Sequence, residues 1–371
     1  MPPAHRSRGI FICRNVKEVT MRKHALALLT LLVIAGLLLS VACATPTPPS
    51  EVTPIPPAEE KPPEEVEPPP PPEEKPAEPA EVVEPEPEEL PSFPLTITDD
   101  LGREVVIEKL PQRIISLAPS NTEILFALGL EDSIVGVTQY CSYPEAAKSK
   151  PRVAGYSTPD IEKVIYMQPD LILAASIHEK TVLPALENAG LTVIAMSAIS
   201  LDNVLEDITL VGHITGKSKT AAQLVDGLRA RIEAVTAKTE SLTPEEQRKV
   251  LYVCWYDPIT TMGSETFIDD LIQKAGGVNI FAEEFKKTRV VSLEEIMGRN
   301  PQVIVVSGMG VAATRTYNSI KTEPRLSGVD AIVEGHIYEI DGNLIERPGP
   351  RIVDGLELVA KFIYPEIFGT P

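Results

Sequence analysis

The chain has 371 residues, 43% of them hydrophobic, with a formal net charge of −19 at pH 7. That length allows two domains, and the acidic balance gives no electrostatic footprint for nucleic acid. Residues 44–94 distort both figures: they hold 19 of the 36 prolines, 14 glutamates and two lysines, a net charge of −12.

In chain order, Arg22, Lys23 and His24 precede the apolar run 25–39, and Ser40-Val41-Ala42 lead into Cys43. Charge, apolar core and small residues make up the order of a secretory signal. The run is too short for a membrane span of the usual twenty or so residues. Residues 40–43 resemble a bacterial lipobox, which implies that Cys43 is acylated and anchors the mature chain to the cell membrane; Ser40 departs from the leucine usual there. The alternative is an ordinary cleaved signal. Met21 opens a more typical signal than Met1, so residues 1–20, with Cys13, read as an over-extended start. Residues 43–94 read as a stalk: proline and repelling glutamates resist helix and sheet and keep the chain extended.

From Arg113 the pattern alternates strand and helix. Residues 113–117 read as a buried strand. A helix capped by Ser120 or Asn121 runs to Leu128 and stops at Gly129. Residues 134–137 form the next strand. Helix 161–167 precedes Pro169 and strand 171–174; helix 181–189 ends at Gly190 before strand 192–196. This rhythm predicts a mainly parallel sheet covered on both faces. Residues 201–242 contain no proline, and 217–241 predict one helix of about 36 Å, with Leu224, Leu228, Ile232 and Val235 as its apolar stripe. The rhythm then resumes with strand 250–254, helices 267–275 and 293–299, strands 303–306 and 336–340, and a last helix 354–363.

An internal repeat ties the halves together. Asp160-Ile-Glu162 through Pro169 to Leu173 aligns without a gap, at an offset of 132 residues, with Ser292-Leu-Glu294 through Pro301 to Val305. The fold class is therefore α/β: two Rossmann-like lobes, 95–200 and 246–371, joined through a helical connector, 201–245. Such a pair places a cleft between its lobes, where ligands commonly bind.

These residues resemble the periplasmic-binding-protein family of cobalamin, haem and iron-siderophore importers. The resemblance rests on Arg113-Ile-Ile-Ser-Leu-Ala-Pro119-Ser-Asn121-Thr-Glu123, Gly136-Val-Thr-Gln-Tyr140, Ser142-Tyr143-Pro144, Pro169-Asp170-Leu-Ile-Leu and Gly276-Gly277-Val-Asn279-Ile, and spans residues 95–368. Ala118 to Glu123 and the segment from Tyr140 to Pro144 are closest to the cobalamin-binding branch. The resemblance implies a class III substrate-binding protein with one rigid bridging helix, partnered by an ABC permease and its ATPase. It implies permease docking through Glu162 and Glu294, one from each lobe, against arginines; the plainer role of such glutamates is to favour a helix N-terminus. It implies ligand contacts at Tyr140 and Tyr156, with Arg347 as a polar cleft residue that could instead pair with Glu346. Trp255, placed by element order, is a candidate from the facing lobe. Ala175 and Thr288 stand where cobalamin binders can present tryptophan. The expected cargo is a corrinoid, cobalamin first; the alternative is a ferric siderophore or haem, which would recruit cationic side chains such as Arg152, Arg315, Arg347 and Arg351.

An enzyme is the rival class. Gly308-Met-Gly310-Val-Ala-Ala313 after a strand, with Asp330 beyond, resembles a dinucleotide fingerprint, but no second βαβ half follows it, and a cleft-edge loop explains its glycines more simply. Hydrolase, zincin and Walker patterns are absent. His178, His213 and His336 are not at ligand spacing, and Cys141 and Cys254 form no Cys-x-x-Cys, so neither a compact metal site nor a resident cofactor is expected.

Overall fold

The computed structural model describes residue 88 and residues 90–153, 155–308 and 311–371. All belong to one compact unit, residues 82–371. The signal, Cys43 and nearly all of the stalk lie outside the described residues.

A hairpin comes first, β1 (Leu95–Thr98) antiparallel to β2 (Glu104–Ile107). The sequence reading missed it because four-residue strands of alternating exposure carry little apolar signal. The N-terminal lobe then follows the predicted rhythm: β3 (Ile114–Ser116), α1 (Pro119–Ala127), β4 (Ile134–Val137), α2 (Ile161–Tyr166), β5 (Leu171–Ala175), α3 (Val182–Asn188) and β6 (Val193–Met196). Ser120 and Asn121 do not cap α1. The helix starts at Pro119, whose fixed φ suits a first turn, and both side chains are buried inside it.

Two helices link the lobes, α4 (Leu201–Ile214) and α5 (Ser218–Thr239). Ala221, Val225, Leu228, Ile232 and Val235 form the buried stripe of α5, whereas Leu224 is only partly buried. Gly212 lets α4 and α5 touch, since a Cβ there would lie 2.3 Å from that of Ala221. The Glu88 carboxylate accepts from the Lys219 and Thr220 amides, fastening the preceding chain to the first turn of α5.

The C-terminal lobe holds β7 (Lys249–Val253), β8 (Trp255–Tyr256), β9 (Ile259–Met262), α6 (Phe267–Lys274), β10 (Val278–Asn279), β11 (Thr288–Val290), α7 (Leu293–Arg299), β12 (Val303–Gly308), α8 (Val311–Lys321), β13 (Ile337–Asp341) and α9 (Ile352–Ile363). Its parallel sheet has the order β10-β7-β12-β13, and that of the first lobe β4-β3-β5-β6. The two orders correspond strand for strand, and each copy of the repeat occupies the same slot, α2 before β5 and α7 before β12. An antiparallel sheet, β11-β9-β8, is an addition to the second lobe.

Both parallel sheets are buried on two faces, which is why their strands read as continuous apolar runs. Leu171 and Leu173 join a core that runs through both lobes, while Ile172 and Ala174 face a core confined to the first lobe. Val303 and Val305 share the common core, and Ile304 and Val306 face the outer core of the second lobe. Arg231 ties α5 to α9 by ion pairs to Asp354 at 2.6 Å and Glu357 at 2.8 Å.

Asp207 on α4 is 3% exposed. Burial, with added repulsion from Asp100 and Glu206, pushes its carboxyl from an ordinary 3.8 up to about 9. The folded state therefore holds a proton that the unfolded chain releases near pH 4. The contribution of this group to stability is greatest below that pH and declines as pH rises toward 9, by at most about 1.4 kcal/mol per unit. Urea unfolding at pH 7.0 and 8.5 should show this decline in the parent, and Asp207→Asn should flatten it. An equal slope in both proteins would refute the assignment.

Candidate functional site

The two lobes face each other across a cavity of about 480 Å3. The N-terminal lobe supplies the loops at the carboxyl ends of its strands: Ala118 to Ser120 after β3, Tyr140 after β4, Ala175 and Ser176 at the end of β5, and Met196 to Ala198 after β6. The C-terminal lobe supplies Phe267, Glu346, Arg347 and Pro348. In open α/β sheets this edge is where ligands gather, because side chains and helix N-termini converge there.

Tyr140, Tyr156 and Arg347, which the sequence reading gives as ligand contacts, all line the cavity. Tyr140 is 51% exposed and free to lie against a ligand face. Tyr156 is held by His178. The imidazole Nδ1 accepts from the Ala175 amide at 2.9 Å, which leaves Nε2 to donate to the Tyr156 carbonyl at 2.6 Å, and the two rings meet edge to face at 5.6 Å. Burial lowers the His178 pKa, so it stays neutral in this role.

Trp255 does not join them. It lies in β8 of the extra antiparallel sheet, 52% exposed, donating its indole N–H to the Asp257 carbonyl at 2.8 Å, and is not among the cavity residues. The aromatic group from that lobe is Phe267, the first residue of α6. Element order pointed to the residue after β7, but the antiparallel sheet carries that segment elsewhere. Ala175 lines the cavity, and Thr288 sits on the exposed strand β11.

The polar end of the cleft is an inter-lobe cluster. Glu123 of α1 is 4% exposed and accepts from Arg351 through both oxygens, at 2.8 and 2.6 Å. Its Oε1 also lies 3.7 Å from Arg347 Nη1. The Arg351 guanidinium stacks 3.8 Å above the Tyr143 ring. Arg347 does not pair with Glu346. It is 7% exposed, donates one long bond to the Tyr140 carbonyl, and leaves Nε and Nη1 without hydrogen-bond partners. Glu346 is instead held by Tyr252 and Ser307.

Of the other cations considered, Arg152 is consumed by the carbonyls of Thr138, Cys141 and Lys148, and Arg315 is exposed on α8. Cys141 and Cys254 are free thiols, and no cluster of metal-ligating side chains occurs among the described residues. His213 is exposed on α4, and His336 pairs with Glu334.

Glu162 and Glu294 occupy equivalent positions on α2 and α7, both exposed, with no hydrogen bond or ion pair to a described residue. Asp160 caps α2 at Lys163 N, and Ser292 with Glu295 forms a capping box on α7. The structural demand at each helix start is thus met by a neighbour.

Two similar lobes, a bridging helix and a cleft at the strand ends define a class III substrate-binding protein. The chain belongs to the periplasmic binding protein family, which it matches over residues 114–344. It is 34% identical to the ABC transporter substrate-binding lipoprotein YvrC of Bacillus subtilis, over 74% of this chain and 87% of that protein. Among solved structures it resembles a possible iron-binding periplasmic solute-binding protein of Staphylococcus epidermidis, with TM-score 0.60 and 31% identity over 69% of this chain and all of the other. It also resembles the vitamin B12 binding protein BtuF of Vibrio cholerae, with TM-score 0.60 and 28% identity over 68% of this chain and 97% of the other. The family consists of binding proteins of ABC transporters rather than enzymes, which removes the dinucleotide reading of Gly308 to Ala313. No helix among the described residues is long and apolar enough to cross a membrane.

Proposed function

We propose that this protein captures a corrinoid, cobalamin first, in the inter-lobe cleft and delivers it to an ABC permease outside the membrane. The carrying observation is the cleft itself: aromatic walls from Tyr140, Tyr156 and Phe267, with one buried guanidinium that makes a single long hydrogen bond. A nearly planar macrocycle edged with polar groups suits apolar walls and a few fixed donors. Likeness to the vitamin B12 binding protein supports the same reading.

A ferric siderophore or haem is the second reading, and likeness to the Staphylococcus protein favours it. The cavity's charge argues the other way: among the described residues Arg347 is its one cationic lining residue, and Glu346 stands beside it. Calorimetric titration of the purified domain with cyanocobalamin, cobinamide, haem and ferric siderophores decides between them. Heat from the corrinoids is the expected result. Tight binding of an iron chelate with no heat from either corrinoid would overturn the cargo while leaving the transport role intact.

The lipid anchor at Cys43 belongs to the same proposal. The mass of the mature N-terminal peptide from extracted membranes should show an acylated cysteine, and an unmodified peptide beginning elsewhere would exclude it.

A further inference from the structure

We infer that Glu346 and Arg347 together form a recognition site for a primary carboxamide, with Glu346 as the residue that discriminates against carboxylate-bearing ligands. The inference deepens the reading of the cleft as the ligand site and names the polar group that the ligand brings to it.

Glu346 lines the cavity and its Oε1 accepts from two hydroxyls, Tyr252 Oη at 3.1 Å and Ser307 Oγ. Tyr252 and Ser307 are fully buried and also bond to each other. The carboxylate is therefore fixed before any ligand arrives. Its Oε2 makes no hydrogen bond to a described residue, so this cavity-lining carboxylate keeps acceptor capacity. Gly342 gives it room: a Cβ there would lie 3.2 Å from both Cδ and Oε2 of Glu346.

Arg347 supplies the opposite half. Nε and Nη1 are buried without hydrogen-bond partners, and Glu123 at 3.7 Å balances the charge without taking those donors. Arg347 Nη2 spends only one N–H, on the long bond to the Tyr140 carbonyl at 3.3 Å, so a second N–H of that group remains for a ligand oxygen.

Consecutive residues that both line the cavity thus carry one fixed acceptor and one guanidinium with donor capacity left. A primary carboxamide satisfies both, its oxygen accepting from Arg347 and its N–H donating to Glu346. A carboxylate satisfies Arg347 but meets the Glu346 charge at close range. An amine satisfies Glu346 alone. Discrimination of this kind is large when a buried polar group would otherwise go unpaired.

The test uses two matched ligand pairs: dicyanocobinamide against dicyanocobyrinic acid, whose side chains are carboxylates, and haem bis-carboxamide against haem. Calorimetry on the parent should show the amide member of a bound pair favoured about tenfold or more. Glu346→Gln should reduce that preference to about threefold or less, with an unchanged melting temperature confirming the fold. Should that variant melt early, Glu346→Asp, which withdraws the carboxylate by one methylene, should shrink the preference in the same direction. A parent with no amide preference in either pair, or a folded variant that keeps the full preference, overturns the inference. Preference shown by the haem pair alone would support the role of Glu346 and sink the corrinoid reading, so the two failures are distinguishable.

Discussion

Replacing Glu162 and Glu294 together by alanine is expected to abolish ligand-stimulated transport while leaving ligand affinity unchanged. The two residues stand at equivalent positions of a repeat whose two sheets share one strand order. Neither acts as its helix's cap, because Asp160 and the Ser292–Glu295 box do so. Both carboxylates are exposed, so removing them costs little folding energy; neither is in a hydrogen bond or ion pair with a described residue, although Arg325 lies within electrostatic reach of Glu294, so both can meet a partner. Paired acids on two similar lobes suit a permease with two-fold symmetry and basic contact residues. Loss of one partner of a desolvated interface charge pair costs about 2–5 kcal/mol, roughly thirtyfold or more in complex affinity per site. Each single variant should therefore weaken the permease complex, and the double variant should leave no measurable stimulation in reconstituted vesicles. Normal transport by the double variant would disprove docking through these residues.

Glu123→Ala is expected to destabilise the protein by about 3 kcal/mol or more. Glu123 is the only carboxylate in direct ion pairing with Arg351 and Arg347 among the described residues, and it reaches them across the lobe boundary. The three side chains are 3%, 18% and 7% exposed, so removing the anion leaves two cations in a poorly hydrated site. By contrast, Arg231→Ala breaks ion pairs whose members are about 40% exposed and should cost about 1 kcal/mol or less. Urea unfolding of both variants at pH 7 makes the comparison. A Glu123→Ala loss no larger than that of Arg231→Ala would show that the inter-lobe cluster is effectively solvated. The same variant frees Arg347 from its counter-charge, so its ligand preference should move toward anions.

Local chemistry made most elements legible. Strands 171–174 and 303–306 were readable because a sheet covered on both faces requires unbroken apolar residues. The α2 and α7 starts were readable because Asp160 and Ser292 satisfy amides within their own first turns. The Ser120 or Asn121 cap failed because the sequence does not say that these side chains turn inward; Asn121 donates instead to the Ala174 carbonyl of the neighbouring strand. The predicted helix 217–241 was close to α5, but its boundary rests on the turn at Gly216, where φ is +69°.

The sequence by itself determined that this protein has two related α/β lobes with a helical bridge, because hydrophobic period, caps and an ungapped repeat are all properties of neighbours along the chain. It also singled out Glu162 and Glu294, whose equivalence is a matter of alignment. Only the tertiary structure decided which side chains share the cleft. It put Phe267 there in place of Trp255, gave Arg347 to Glu123 rather than to Glu346, and bound Glu346 to Tyr252 and Ser307. Those pairings join residues from 39 to 224 positions apart, and a contact between such distant residues depends on how the lobes and their sheets pack, which no local pattern encodes.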